Sequence, residues 1–133
     1  GADGLFEVPG VAEGSWELLV GAPGLATMRF AVAVPGPPVD VALPLAGRLA
    51  VEIPELLGTS AVAHLEIVDA SGRRFPSLSS DRYDPILRVE SGRRFIEGLP
   101  PGQWTVRAAT LDGAVWTGVA ATVPGALSQV RLD

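Results

Sequence analysis

The sequence predicts an all-β protein organised as a β-sandwich, and three observations support this class. Apolar and polar residues alternate with a period of two in one short segment after another, as in half-buried strands. Turn signals rich in Gly, Pro or Asp separate these segments at intervals of about 8–12 residues. The 16 glycines and 12 prolines leave no long segment with uninterrupted helical periodicity.

Four strands are expected in the first third of the chain, at residues 5–8, 14–20, 28–34 and 39–43. In the second of these strands Trp16, Leu18 and Val20 share one face. Because Trp16 and Leu18 alternate with Ser15 and Glu17, we expect this face to be buried, with Trp16 in a core.

Seven strands are expected in the rest of the chain, near residues 48–53, 64–67, 87–89, 95–99, 103–108, 114–123 and 130–132. A turn is expected over 69–72, where Asp, Ser and Gly occur together. Residues 73–85 are polar and predict a long loop, with Phe75 and Tyr83 as possible anchors.

The most informative stretch runs from Phe95 to Ala108. Pro100 and Pro101 fix the backbone angle φ, and Gly102 supplies the permissive residue that ends a tight turn. Trp104, Val106 and Ala108 then point one way, which predicts a strand with Trp104 in the core.

An internal repeat sets the predicted domain organisation. Trp16 matches Trp104 at an offset of 88 residues, and Val34-Pro35-Gly36 matches Val123-Pro124-Gly125 at 89. Residues 47–133 then form a complete β-sandwich domain, and residues 1–46 correspond to the C-terminal half of a second one. Half a sandwich cannot bury both inner faces, so we expect either a piece of a longer tandem array or completion by another segment.

The same stretch resembles the carboxypeptidase regulatory-like domain family. Its hallmark is similar to Phe-x-x-x-Leu-Pro-Pro-Gly-x-Tyr-x-Val-x-Ala, with Trp in the Tyr position here. The turn at 69–72 resembles the family's Asp-x-x-Gly turn between its early strands. The residues that carry the motif are Phe95, Leu99, Pro100, Pro101, Gly102 and Trp104. The resemblance implies a prealbumin-like, Ig-like sandwich of seven strands and a non-catalytic role in secreted or surface-anchored bacterial proteins.

Composition excludes several kinds of chemistry. The chain has no Cys, Lys or Asn and a single His, so disulfides, Schiff bases, Lys–Asn isopeptide crosslinks and His-pair metal sites are not available to it. The net charge of −5 argues against nucleic acid as a partner. The apolar runs are short and interrupted, so we expect neither membrane insertion nor a signal peptide within this sequence.

The sequence offers surface candidates but no catalytic, cofactor-binding or metal-binding residues. The repeat at offset 89 places Val119 and Val123 inward and Trp116 outward, where it could stack on a sugar or a neighbouring domain; a β-bulge would instead bury it. Two Ser-Gly-Arg-Arg-Phe segments predict either two exposed turns or an arginine patch for an anionic partner. The candidate ligand or partner surface comprises Trp116, Arg73, Arg74, Arg93, Arg94 and Tyr83.

Weaker candidates are His64, expected as an exposed strand residue, and a calcium site from Asp69, Asp81 and Asp84, which lack the usual loop spacing.

The sequence is therefore compatible with three non-catalytic functions, and an enzyme is the least favoured class. The leading hypothesis is a non-catalytic spacer or assembly unit of a larger extracellular or cell-surface bacterial protein, with neighbouring domains or identical subunits as partners. The alternatives are a carbohydrate- or peptide-binding accessory domain and a subunit that assembles by β-strand complementation.

Overall fold

A computed structural model describes residues 7–75, 77–79, 82–84 and 87–133 and shows an all-β chain. The described part contains eleven strands, one short 3-10 turn at Pro54–Leu56 and no α-helix. The strands are β1 Gly14–Val20, β2 Met28–Val34, β3 Gly47–Glu52, β4 Val62–Asp69, β5 Ser77–Ser79, β6 Arg82–Asp84, β7 Leu87–Glu90, β8 Arg93–Leu99, β9 Gly102–Ala109, β10 Val115–Thr122 and β11 Leu127–Arg131. Nothing helical in these ranges is long and apolar enough to cross a bilayer.

The main body is a seven-stranded mixed sheet in the order β10-β9-β4-β7-β8-β3-β11. β3 and β11 run parallel, and the other neighbours run antiparallel. The two ends of this sheet meet, because Thr117 and Asp133 exchange backbone hydrogen bonds of 3.0 and 3.3 Å. β7 and β8 are joined by a single residue pair, Glu90 with Arg93, so the sheet is nearly interrupted there.

The core lies inside this body and is filled by alternate residues of its strands. Among the fully buried side chains are Leu49 and Val51 of β3, Leu65 and Ile67 of β4, and Val106 of β9. This is the alternation that the sequence predicts for these strands. The all-β class and these inward faces are therefore as predicted.

The turn between β7 and β8 requires glycine for two reasons. Gly92 has φ of +78°, a conformation that L side chains rarely adopt. In addition, a Cβ atom at Gly92 would lie 2.8 Å from the carbonyl oxygen of Ile53 and 2.9 Å from the amide nitrogen of Leu57. The turn therefore packs directly against the 3-10 segment that follows β3.

β1 and β2 form a separate two-stranded antiparallel sheet. The segments that flank this hairpin attach it to the body through backbone hydrogen bonds. Thr27 donates to the carbonyl of Gly98 at 2.8 Å, and Gly125 donates to the carbonyl of Ala46 at 2.9 Å. Thr27 and Ala46 are buried at these attachments.

Three expectations about the first half differ from the structure. Residues 7 and 8 are not in a strand, and the rest of the expected strand at 5–8 lies outside the described residues. Residues 39–43 form no strand either, although their apolar pattern matches β11. β11 forms against its parallel partner β3, whereas no described strand lies beside 39–43, and a strand needs such a partner to satisfy its backbone.

The sequence also predicts Trp16 in a core, whereas Trp16 is 47% exposed in the structure. In the body the inner face of β9 is covered by other strands, while no described strand covers the corresponding face of β1. Its indole Nε1 donates a hydrogen bond to the carbonyl of Ala12 at 2.8 Å.

The expectation that Trp116 points outward is wrong, because Trp116 is only 6% exposed, while Val119 on the other face is 61% exposed. No bulge reverses the faces: β9 and β10 pair without interruption from Val115 to Thr122. Cross-strand pairs share a face, and Trp116 pairs with the buried Ala108. The partner strand therefore sets the orientation of Trp116.

The expected loop at 73–85 contains a small two-stranded sheet. β5 and β6 pair antiparallel, with Leu78 opposite Tyr83. Before it, Phe75 is buried at 4% exposure, as an anchor of this segment would be.

Candidate functional site

The candidate site is a groove of about 440 Å³ between the β1–β2 hairpin and one end of the body. Three short segments line it: residues 27–29 at the start of β2, residues 69–71 and 73–75 after β4, and residues 100–104 at the start of β9. The second and third segments meet because Asp69, the last residue of β4, pairs with Trp104 near the start of β9. The first segment is attached by the hydrogen bond from the Thr27 amide to the carbonyl of Gly98.

Two aromatic side chains form the apolar base of the groove. The rings of Phe75 and Trp104 meet edge to face, with centroids 5.7 Å apart and planes at 75°. Trp104 is only 6% exposed, so it closes the groove against the core.

The indole of Trp104 is held by a buried polar network. Its Nε1 donates to the Oγ1 of Thr122 at 3.0 Å and to the carbonyl of Pro100 at 3.2 Å. The hydroxyl of Thr122 in turn donates to the carbonyl of Pro100 at 2.8 Å. Pro100 thus shapes the turn and accepts both hydrogen bonds, which fixes the tryptophan relative to the turn.

The carboxylate of Asp69 organises one wall of the groove. Its Oδ1 accepts hydrogen bonds from the Ser71 hydroxyl at 2.6 Å, from the Ser71 amide at 2.9 Å and from the Arg73 amide at 3.0 Å. The Ser71 hydroxyl is the main cause that lowers the pKa of Asp69; the two amides and the charge of Arg73 act in the same direction, and slight burial opposes them. This carboxylate therefore serves the turn.

The arginines around the groove are neutralised by carboxylates. Glu17 of the hairpin binds Arg29 at 3.0 Å and Arg73 at 2.5 Å, and so links the hairpin to the body. Glu66 binds Arg74 at 2.9 Å. With Asp69 included, the three arginines face three carboxylates, so this wall does not favour an anionic ligand.

The second pair of arginines, Arg93 and Arg94, lies at the ends of β8 and β3 that are farther from the groove. Arg93 and Arg94 are exposed on β8, where they pair with Glu52 and Val51 of β3. The groove instead adjoins the opposite ends of β8 and β3, where Gly47 pairs with Leu99. The structure therefore does not bring the two arginine pairs into one patch.

The remaining predicted surface residues have separate locations. Trp116 is buried and offers no exposed ring for a sugar. Tyr83 belongs to β6, but its side chain lies outside the described part of the chain, as does Asp81. Phe95 of the motif is 69% exposed on β8, whereas Leu99 of the same motif is fully buried.

The sequence did not single out Glu17 and Arg29 of the hairpin. They lie on the face opposite Trp16 and Phe30, so the alternation of β1 and β2 gives their orientation. It does not give the contact between Glu17 and Arg73, because these residues are 56 positions apart.

The described side chains form no cluster of three or more His, Asp or Glu that could hold a metal ion. His64 is exposed on β4, and the two residues directly opposite it, Ala109 and Arg88, are neither nucleophiles nor carboxylates. The ion pairs of Glu17 hold the chain segments around the groove together. The apolar base of the groove could contact a flat or extended ligand.

No protein-family model, curated protein or solved structure shows significant similarity to this chain.

Proposed function

We propose that this chain is a non-catalytic structural and interaction module, made of β-sandwich units that act in series as a spacer or assembly unit. One observation carries the proposal: the β1–β2 and β9–β10 hairpins have the same register, shifted by 88 residues in both strands. Gly14 pairs with Val34 and Trp16 with Val32; Gly102 pairs with Thr122 and Trp104 with Ala120.

The local geometry of the two hairpins supports the same correspondence. Each begins at a glycine with an unusual φ, +141° at Gly14 and +146° at Gly102. In each, the tryptophan two residues later donates from Nε1 to the carbonyl four positions before it, Ala12 or Pro100. In this proposal residues 1–46 are the C-terminal half of one repeat, and residues 47–133 are a complete repeat.

In the proposed fold, each complete repeat is a prealbumin-like, Ig-like sandwich. The single pair between β7 and β8 supports a division of the sheet into two layers, β10-β9-β4-β7 and β8-β3-β11. Side chains from both sets of strands fill one core, as in packed sandwiches. The sequence resemblance to carboxypeptidase regulatory-like domains supports the further proposal that the parent protein is secreted or displayed on a bacterial cell.

The hairpin favours assembly as a second candidate function. Its apolar face carries Trp16, Leu18 and Val20 of β1 and faces away from Glu17, which binds the body. The corresponding face of β9 is buried, so the hairpin face is suited to a second layer supplied by another unit.

A fusion chain tests the repeat. Residues 47–99 would be joined in front of residue 12, the position that corresponds to residue 100 at the offset of 88. We expect two complete sandwiches. The fluorescence emission of Trp16 should shift to the blue, and the backbone amides of β1 should become protected from hydrogen exchange. A matched fusion carrying Leu65→Asp and Ile67→Asp in the added segment should lose both effects. The repeat is refuted if Trp16 stays half-exposed while the added segment remains unfolded.

Light scattering after size exclusion tests assembly in the unmodified chain. A discrete dimer or a ladder of oligomers supports completion of the hairpin by another molecule, and a monomer at all concentrations refutes self-assembly.

A further inference from the structure

β1 has one strand edge without a described partner. It pairs with β2 and with no other strand in the described ranges, and apart from that pairing no backbone hydrogen bond joins residues 14–20 to the rest of the described chain. Unpaired N–H and C=O groups along such an edge are a template for an additional strand. The apolar face beside this edge includes Trp16, which is half-exposed.

The second hairpin shows what fills the corresponding edge. β4 pairs antiparallel with β9 along the edge that β10 leaves free. In this pairing Leu65 lies opposite Ala108 and Ile67 lies opposite Val106. At the offset of 88, the positions of Ala108 and Val106 correspond to Val20 and Leu18 of β1.

We infer that the free edge of β1 binds an antiparallel strand with the pattern of β4, supplied by a neighbouring repeat unit. The inference rests on the proposed function, because it takes β1–β2 as the equivalent of β9–β10. The bound strand places apolar side chains opposite Val20 and Leu18, where they cover the exposed side of Trp16. Main-chain hydrogen bonds supply affinity, and the alternate side chains supply register.

The outward residues of β1 differ from those of β9, so the bound strand should differ from β4 at the positions opposite them. In the body Glu66 lies opposite Arg107, whereas the residue that corresponds to Arg107 in β1 is Leu19. Val68 lies opposite Thr105, and the corresponding residue in β1 is Glu17. The preferred strand therefore carries an uncharged residue opposite Leu19 and no carboxylate opposite Glu17.

The probe for this site is a synthetic peptide of residues 61–70, added to the full chain. The peptide contains no Trp, and Trp104 and Trp116 are buried, so a change in emission reports on Trp16. We expect a saturable blue shift together with slower hydrogen exchange in residues 14–20. A peptide with Glu66→Thr should bind more tightly, because it removes a carboxylate opposite Leu19.

Two matched pairs of variants test the register. In the peptide, Ile67→Asp places a charge opposite Leu18 and should weaken binding by about tenfold or more, equivalent to about 1.4 kcal/mol. In the chain, Leu18→Lys should weaken binding similarly, while Ser15→Lys on the opposite face should change it by less than about twofold. Trp16→Phe should remove the emission change and keep the exchange protection.

The inference is overturned if saturating peptide leaves residues 14–20 unprotected, or if the Ile67→Asp peptide binds as well as the parent peptide. Loss of protection in the chain's own β4 also overturns it, because the peptide would then have displaced β4 from β9. If the fusion chain buries Trp16 but the peptide leaves β1 unprotected, the edge inference fails and the repeat stands. If the fusion chain also leaves Trp16 half-exposed, both fail.

Discussion

Trp104→Ala should destabilise the chain much more than Trp16→Ala, although the two tryptophans occupy corresponding positions in two hairpins of the same register. Trp104 is 6% exposed and packs edge to face against Phe75, whereas Trp16 is 47% exposed. The pair is a matched comparison, because each indole also donates to the carbonyl four residues before it.

The size of the difference follows from burial. A buried aromatic side chain covers about 150–250 Å², which at about 25 cal/mol per Å² corresponds to about 4–6 kcal/mol for Trp104. Loss of a core aromatic residue typically costs about 3–5 kcal/mol. About half as much surface is covered at Trp16, which is 47% exposed, so we expect about half the cost there, roughly 2–3 kcal/mol.

Urea denaturation followed by far-UV circular dichroism measures both free energies of unfolding. For Trp104→Ala, a loss of about 4 kcal/mol corresponds to a melting temperature lower by roughly 10–25 °C. If that variant does not fold, Trp104→Phe keeps the ring contact and loses the bonds to Thr122 and Pro100, with an expected cost of about 1–3 kcal/mol. Equal losses at Trp104 and Trp16, or a loss below about 2 kcal/mol for Trp104→Ala, would refute the assignment of Trp104 to the core.

Two further predictions concern turns. Gly92→Ala should lower the free energy of unfolding by at least about 2 kcal/mol, since it combines a strained positive φ with a Cβ contact of 2.8 Å to Ile53. Gly58→Ala, at a similar φ with no neighbour within 4 Å, should lower it by about 1 kcal/mol. Equal effects in thermal melts would contradict the close packing of the Gly92 turn. Asp69→Asn should destabilise the chain at pH 7, where the lowered pKa of Asp69 means that its carboxylate stabilises the folded state, and the difference from the parent should shrink as pH falls below about 4. Urea melts at neutral and acidic pH would decide this, and a difference that grows on acidification would show that the sign is wrong.

The strand content and several strand faces could be predicted from alternation alone. For β9 the prediction was correct because Trp104, Val106 and Ala108 alternate with polar residues, and all three are buried. For β10 both faces carry small or apolar residues, so alternation could not decide between them. The match of Val34-Pro35-Gly36 to Val123-Pro124-Gly125 then gave an offset of 89, one residue more than the register of the paired strands. A shift of one residue exchanges the two faces of a strand, so the offset of 89 predicts Trp116 on the outer face, whereas the paired register puts it on the inner face.

In the candidate site, local contacts could be predicted from the sequence and distant contacts could not. The turn at Asp69 was predictable, because Asp, Ser and Gly form it within a few residues of one another. The ion pair of Glu17 with Arg73 was not, because it depends on how the hairpin lies against the body. Trp16 shows the same limit: its sequence context is that of a core residue, but burial also needs a covering layer, which no pattern within β1 supplies.

The parallel pairing of β3 and β11 has a mechanical consequence. The two strands run in the same direction through five residue pairs, so the chain enters the body at one end of this pair and leaves it at the other. A tension applied between Gly47 and Asp133 would slide the strands past each other and load all their hydrogen bonds at once. In the β1–β2 hairpin both ends lie at the same side, since Gly14 pairs with Val34, and tension there would break the pairs one after another. Under the same pull, the body would therefore resist as a clamp, and the hairpin would open first.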